Sequence, residues 1–458
     1  MNMKHPAWTG VLILSAALLL PTAQAKPTPE QIAQLGGDKL SCIGAEKAGS
    51  KSGVGPYTGK WLESWPGLKD PKGYDPGPYA AEKPLFTITA DNSAQYTDRL
   101  SEGQKALLKK YPKNFRMPVY ASHRDFRFPD VGCAATKQNA ATAQLTNKGL
   151  GLANAVGGGV PFPFANDGLQ AIWNVIATRH VWNETAVIDI ANVFANGKIA
   201  WGKQKYLTLA PSADPQGDGK VKDNIGAYFY NVTLLPLRDK GTIGVGFQPV
   251  DFSEGSTRVW AYNPGTRRLR QAPDIAFDYA VPPSGLRTVD DDHLFNGSPE
   301  RYQWKLIGKR ELYIPYNNFR INDPAIKYST LLTPDTLNPD FMRYELHRVW
   351  VIEATLKPGV RHIYGRRVLY ADEDTWLAHW ADNYDARGQL WRAAFVNYRY
   401  APDAQAFHRG VSVYQDLNSD AYEAGYLVNE AGKDWWRLNR SDMNVKMFSP
   451  EAATRGGH

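Results

Sequence analysis

Four groups of residues in this chain are of types that do chemistry. Asp290, Asp291, Asp292 and His293 stand in a row and offer oxygen and nitrogen ligands to a divalent ion. Neighbouring side chains diverge, however, and the spacing is not that of a calcium loop. The run therefore reads as a solvated turn ahead of Leu294. His347, Glu353 and His362 fall on neighbouring strands, where they could converge as an acid–base set. Arg348, Arg361, Arg366 and Arg367 are placed to pair with them instead. Asp372, Glu373 and Asp374 read as a hairpin tip. Arg267, Arg268 and Arg270, beside a turn, either meet a lipid phosphate or acidic partner or simply discourage edge pairing. The Gly-x-Ser-x-Gly and His-Glu-x-x-His motifs of serine esterases and zincins are absent. Neither cysteine has a nearby histidine in a protease-like signature. Gly157, Gly158 and Gly159 precede a helix, but no Gly-Lys-Ser/Thr follows, and Pro161 and Pro163 remove amide donors. A loop passing close over the core explains them better than a phosphate cradle.

The elements that must position these groups are mostly strands. Runs at 347–356, 362–370, 375–381 and 390–400 are rich in Val, Ile, Tyr and Trp. Short turns separate them, so 344–400 reads as an antiparallel meander. Trp350, Ile352, Ala354 and Leu356 share one face by period-two alternation, and His347, Val349, Val351, Glu353 and Thr355 the other. Trp376 and Trp380 share a parity, as do Trp391, Ala393 and Phe395. Further strands are expected at 85–89, 119–128, 185–194, 198–208, 227–235, 244–250, 257–262, 267–270, 304–308, 310–315, 411–415 and 425–429. That many antiparallel strands exceed a comfortable flat sheet and predict strong curvature or partial closure. Amphipathic spacing predicts helices over about 91–110 and 167–179. Residues 136–148 are loop or helix, and Thr28 can cap a short helix at 29.

The N-terminus carries a targeting signal. Lys4 and His5 precede an apolar stretch at 11–20, and Ala23-Gln24-Ala25 is a small-x-small cleavage site. This is a secretory signal peptide over 1–25, cleaved after Ala25, with the periplasm as destination. Residues 26–90 form an irregular segment with Trp61, Trp65 and Tyr74 as anchors that pack on the core, and 91–458 form one domain. The net charge of +7 is spread along the chain without a basic tail, which weighs against nucleic acid. Cys42 and Cys133 in an oxidising compartment are most simply a disulfide, closing a loop of about 90 residues worth roughly 4 kcal/mol. Two free thiols are the alternative.

Several stretches resemble the bacterial domain-of-unknown-function family 1329. They are Gly44-Ala45-Glu46 with Ala48-Gly49, Gly159-Val160-Pro161-Phe162-Pro163 with Ala171-Ile172-Trp173-Asn174, and 263–273. Tyr313-Ile314-Pro315-Tyr316-Asn317-Asn318, Arg343-Tyr344-Glu345-Leu346-His347-Arg348-Val349-Trp350 and Asp372-Glu373-Asp374-Thr375-Trp376 also fit. The hairpin Trp260-Ala261-Tyr262-Asn263-Pro264 is similar to one in the lipoprotein carrier LolA. The resemblance runs from about 35 to 445; residues 55–61 and both cysteines depart from it. It implies a mainly β fold with helices (α+β): a large curved antiparallel sheet or incomplete β-barrel, LolA-like, with helices in or over its concave face. It also implies outer-membrane lipoprotein-sorting associations and no established enzymatic activity.

A curved sheet with one aromatic face encloses volume, and an acyl chain entering it gains about 25 cal/mol per Å² of apolar surface removed from water. The expectation is a periplasmic carrier of a lipid or other hydrophobic molecule, with inner- or outer-membrane transport proteins as partners and with no cofactor or metal. Candidate lining residues are Trp260, Tyr262, Trp350, Ile352, Leu356, Ile363, Leu369, Trp376, Trp380, Trp391 and Phe395, each equally readable as core. The other readings are an envelope adaptor with a filled interior and a hydrolase of an apolar substrate.

Overall fold

The computed structural model describes residues 26–456 apart from 61, 71, 274 and 433–435, so the expected signal peptide, Trp61 and Trp435 lie outside the described residues. The first part of the chain holds α1 (Pro29–Ala33), β1 (Phe86–Ile88), α2 (Glu102–Lys110), β2 (Met117–Tyr120), α3 (Asp130–Thr142), β3 (Gln144–Thr146), β4 (Gly151–Ala153) and α4 (Gly168–Ala177). Strands β5 (Asn183–Val193), β6 (Ile199–Leu209), β7 (Ile225–Leu235), β8 (Ile243–Pro249), β9 (Arg258–Asn263), β10 (Arg268–Gln271) and β11 (Tyr302–Pro315) follow. After α5 (Tyr328–Leu331) come β12 (Tyr344–Leu356), β13 (Arg366–Asp372), β14 (Ala378–Tyr384), β15 (Leu390–Ala401), β16 (Ala406–Asp416), β17 (Ala421–Leu427), β18 (Arg437–Leu438) and α6 (Pro450–Gly456).

Sixteen of these strands form one sheet, and β3 and β4 form a separate hairpin. Strands β12 to β17 are neighbours in space in sequence order, the expected meander. Strand β17 then pairs with β5, and β5 to β10 continue as a second meander. Strand β11 lies along the outer side of β12, from Tyr302↔Leu356 to Pro315↔Tyr344. The sheet is open, and its pairing is antiparallel except where β2 runs parallel to β12 at Tyr344↔Val119. The two short runs at 304–308 and 310–315 are one strand, β11, bulged between Leu306 and Gly308.

Two expectations about these elements need correction. The helix over 91–110 is broken: 93–99 form a 3-10 segment, Leu100 is extended, and Ser101 caps a fresh helix, α2. The Ser101 hydroxyl accepts from the Gln104 amide, and the Gln104 side chain returns to the Ser101 amide. That reciprocal capping box outcompetes a continuous helix. The strand expected over 119–128 ends at Tyr120, and Arg124 beyond it turns into the interior. Residues 130–142 are helix, α3, continuing only partly into the segment left open by the sequence.

Both faces of the meander are covered. Strands β14 and β16 are buried at every residue. Helix α2 lies against β14 and β15 through Asp382, and α4 packs on β11 and β12. A smaller cluster joins Leu207, Leu209, Ile243, Val245 and Tyr262 to Met443, Phe448 and Ala453 of the C-terminal segment. The N-terminal segment packs on the main core through Ile43, Val54 and Trp65, and a Cys42–Cys133 disulfide ties it to α3.

Candidate functional site

The triglycine loop does pass close over its surroundings. A Cβ on Gly157 would lie 2.2 Å from the Ser212 carbonyl oxygen, and one on Gly159 2.6 Å from the Thr136 amide nitrogen. Only glycine fits so close an approach. Against this loop is a cavity of about 50 Å³ walled by Leu152, Val156, Trp173, Ile176, Ala227 and Val250. Helix α4 supplies its inner wall. Asp167 caps that helix, accepting from the Gln170 amide at 2.9 Å. Trp173 Nε1 donates to the Gly149 carbonyl at 2.8 Å, which fixes its ring in the wall.

Arg179, two residues past the end of α4, also lines the cavity. Among the described residues its guanidinium has neither hydrogen bond nor ion pair. Burial and the neighbouring Arg409 hold its pKa below the ordinary guanidinium value, against the pull of Asp292 and Glu184. A cation on a mostly apolar cavity, with Ser212 and Gln248 as its other polar side chains, is an arrangement that can take the acid group of an amphiphile.

The eleven residues expected to line a ligand space do not share one surface. In the register of the sheet, Ile352 faces Leu369, whereas Val351, on the opposite side of β12, faces Tyr370. Tyr370 in turn opposes Trp380, and Trp380 opposes Phe395. Ile352 and Leu369 therefore lie on one side of the sheet, and Trp380 and Phe395 on the other. These four and Trp376 sit in the main core, with Trp350 and Leu356 packed against it. The Trp350 and Trp376 rings stack at 5.3 Å. Tyr262 and Trp260 belong to the smaller cluster. Ile363 is half-buried, its amide donating to Asp278, and Trp391 donates through Nε1 to Asp416. None of the eleven lines the cavity beside Arg179. Arg179 itself escaped sequence reading, and its only signal there is a lone cation directly after an apolar helix.

The charged groups fall into two buried clusters, one where a solvated turn was expected and one at the expected hairpin tip. Asp290 and Asp291 are buried, and Arg367 from β13 stands between them, 3.2 Å from Asp290 and 2.7 Å from Asp291. His362 Nε2 is 2.9 Å from Asp290, and the Tyr364 hydroxyl donates to Asp291 at 3.0 Å. Burial raises the Asp290 pKa, but Arg367 and His362 outweigh it and hold the group at about 2. Asp292 pairs with Arg409 at 2.6 Å. The expected hairpin tip at Asp372–Asp374 is also buried. Arg124 grips Asp374 with two bonds of 2.6 and 2.7 Å and reaches Glu373 at 2.9 Å. Lys309 and Arg348 also bind Glu373. These cations come from distant segments, so the local composition around each turn carried no sign of the burial. His347, Glu353 and His362 do not converge: His347 meets Glu345 and Asp372, Glu353 pairs with Arg366, and His362 with Asp290. Arg267, Arg268 and Arg270 are exposed at the β9–β10 turn and on the end strand β10, a placement that favours the edge-blocking reading.

His379 gives the fold a pH dependence. Its ring is buried and Nδ1 lies 2.9 Å from the Pro315 carbonyl; burial lowers its pKa from 6.5 to about 3. The folded protein therefore keeps it neutral while the unfolded chain binds a proton below pH 6.5. Stability is fully present above that pH and is lost as pH falls toward 3. The loss attributable to this group reaches up to about 5 kcal/mol. Urea midpoints at pH 7 and 4.5 should converge in His379→Asn relative to the unsubstituted protein.

The fold is an open, mostly antiparallel sheet of sixteen strands covered by helices. The chain belongs to DUF1329, a family of proteins of unknown function, whose pattern matches residues 87–454. It is 40% identical over 424 residues to the uncharacterized protein PA3922 of Pseudomonas aeruginosa, covering 92% of each chain. A DUF1329 family protein from Desulfovibrio piger is 16% identical, with a TM-score of 0.39 over 60% of this chain and 92% of that one. The LolA superfamily protein NE2245 from Nitrosomonas europaea is 10% identical, with a TM-score of 0.37 over 63% and 100%.

Proposed function

We propose that this protein binds an anionic amphiphile and carries it through the cell envelope, the acyl end in the cavity under Gly157–Gly159 and the acid group on Arg179. The observation that supports this reading is the coincidence of an apolar cavity with a guanidinium that has no partner among the described residues. Each buried methylene contributes about 0.8 kcal/mol, and a charge-assisted hydrogen bond about 1.5–3 kcal/mol. The exported N-terminus read from the sequence supports the periplasm as the compartment, and no described helix is long and apolar enough to cross a membrane.

The test is a titration of the full mature chain with a dansylated undecanoic acid, read by dansyl emission. Saturable uptake is expected. Ala227→Trp, which fills the cavity, and Arg179→Leu should each weaken it at least tenfold while the thermal midpoint stays nearly unchanged. Equal affinity in all three proteins, or no saturable uptake, would sink the proposal. The adaptor reading draws on one observation, the packing of most of the meander's aromatic residues into the core.

A further inference from the structure

The turn between β13 and β14 brings a second, independent site together. His347 on β12, Asp372 at the end of β13 and Asp374 in the turn are all buried, and each presents one ligand atom within 4.8 Å of the others. Two of those side chains carry bare atoms. His347 Nδ1 and Asp372 Oδ1 have no hydrogen-bond partner, both residues are 0% exposed, and the atoms face each other across 3.7 Å. That gap is too long for a shared proton. Leaving both atoms bare in the interior costs free energy that native folds rarely tolerate.

The surroundings aim these two atoms at one another. His347 Nε2 lies 3.2 Å from the Glu345 carboxylate, which accepts only, so the ring proton sits on Nε2 and a lone pair on Nδ1. Glu345 is itself fixed by Arg343 Nε at 2.6 Å, the His123 amide at 2.9 Å and Asn317 Nδ2 at 3.1 Å. Asp372 uses its other oxygen to accept from Thr375 at 2.8 Å and Tyr316 at 3.3 Å, which turns Oδ1 toward the histidine. Arg124 holds both carboxylate oxygens of Asp374 and so fixes that side chain in the turn. The Tyr316 ring stacks on the imidazole at 3.8 Å and fixes its plane.

We infer that His347 Nδ1, Asp372 Oδ1 and a carboxylate oxygen of Asp374 bind a structural divalent cation of the borderline class, such as Zn²⁺ or Mn²⁺. One imidazole with two carboxylates selects that class over soft, thiolate-seeking ions. A cation about 2.1 Å from each of the two bare atoms would span their gap at a wide, tetrahedral-type angle. Its position pins the 372–374 turn, and with it the Arg124 clamp on the N-terminal segment through the Gly55 and Glu46 carbonyls.

The experiment is elemental analysis of the full mature chain purified without an affinity tag. Protein refolded with Co²⁺ is read in parallel by its visible d–d bands. About one equivalent of Zn²⁺ or Mn²⁺ is expected. Metal content should fall at least tenfold in His347→Gln and in Asp372→Asn, and the refolded Co²⁺ form of the unsubstituted chain should show bands that neither variant shows. The Co²⁺ readout on the unsubstituted chain decides the question even if a variant fails to fold. Metal below about a tenth of an equivalent with no Co²⁺ bands would overturn the inference. Metal retained by both variants would overturn it equally, because the ion would then sit elsewhere.

Discussion

Arg367→Ala is expected to cost about 3–5 kcal/mol of stability. The side chain is fully buried and holds Asp290 at 3.2 Å and Asp291 at 2.7 Å, and it also donates to the Leu294 carbonyl. Truncation would leave two carboxylates in the interior with His362, the Thr288 amide and the hydroxyls of Thr288 and Tyr364 as the remaining donors among the described residues. The penalty comes from those stranded charges more than from the lost attraction. Removing the acids together with the arginine tests that origin. The triple variant Arg367→Met, Asp290→Asn, Asp291→Asn should recover most of the loss, because residues in one network are not additive. Urea midpoints of the three proteins measure it. A triple variant no more stable than Arg367→Ala would show that packing, not charge, dominates.

Asp382→Ala should cost a comparable amount, about 3–5 kcal/mol, by a different route. This carboxylate on β14 accepts from the Ser101 hydroxyl at 3.0 Å, the Gly103 amide at 3.0 Å, Trp380 Nε1 at 2.8 Å and the Tyr370 hydroxyl at 3.2 Å. It is the anchor that fastens the start of α2 to the sheet. A Cβ on Gly103 would come within 2.3 Å of its oxygen, so the approach is possible only with glycine there. Burial raises the Asp382 pKa, and the four donors oppose that. Removing the carboxylate takes the acceptor from all four, and each donor that finds no other acceptor costs about 1–3 kcal/mol, so two left unmade account for the expected loss. Hydrogen exchange should accelerate first across 101–110, ahead of the rest of the sheet. Uniform acceleration across the meander would mean that Asp382 supports the whole core rather than this helix.

Much of the fold was legible because period-two alternation and turn residues are local signals. The four meander runs and the strands at β5 to β10 appear within a few residues of where the alternation put them. Helix α4 follows from its apolar stripe and the Asp167 cap. The failures share a cause. A capping box at Ser101 breaks the longer helix, and the Asp382 anchor that reinforces it lies 281 residues away, beyond any local signal. The parity of Trp380 and Phe395 against Ile352 depends on pairing register, which a single strand's sequence does not set. The acidic run at 290–292 read as solvated, and the 372–374 hairpin tip gave no sign of burial, because their cations, Arg367, Arg409, Arg124 and Lys309, are supplied by other elements. The cavity beside Arg179 arises where the 157–159 loop, α4 and the β7–β8 pair meet, a junction no local pattern describes.

The most direct test of the carrier account is native mass spectrometry of the mature protein isolated from its own cell envelope, followed by solvent extraction of what it holds. The account predicts one acidic acyl species bound near one to one, present in the unsubstituted chain and in a control such as Trp391→Phe, and lost in Ala227→Trp and Arg179→Leu. A clean unliganded mass that takes up no added fatty acid, or a bound species indifferent to both cavity substitutions, would contradict it and leave the envelope adaptor as the better account.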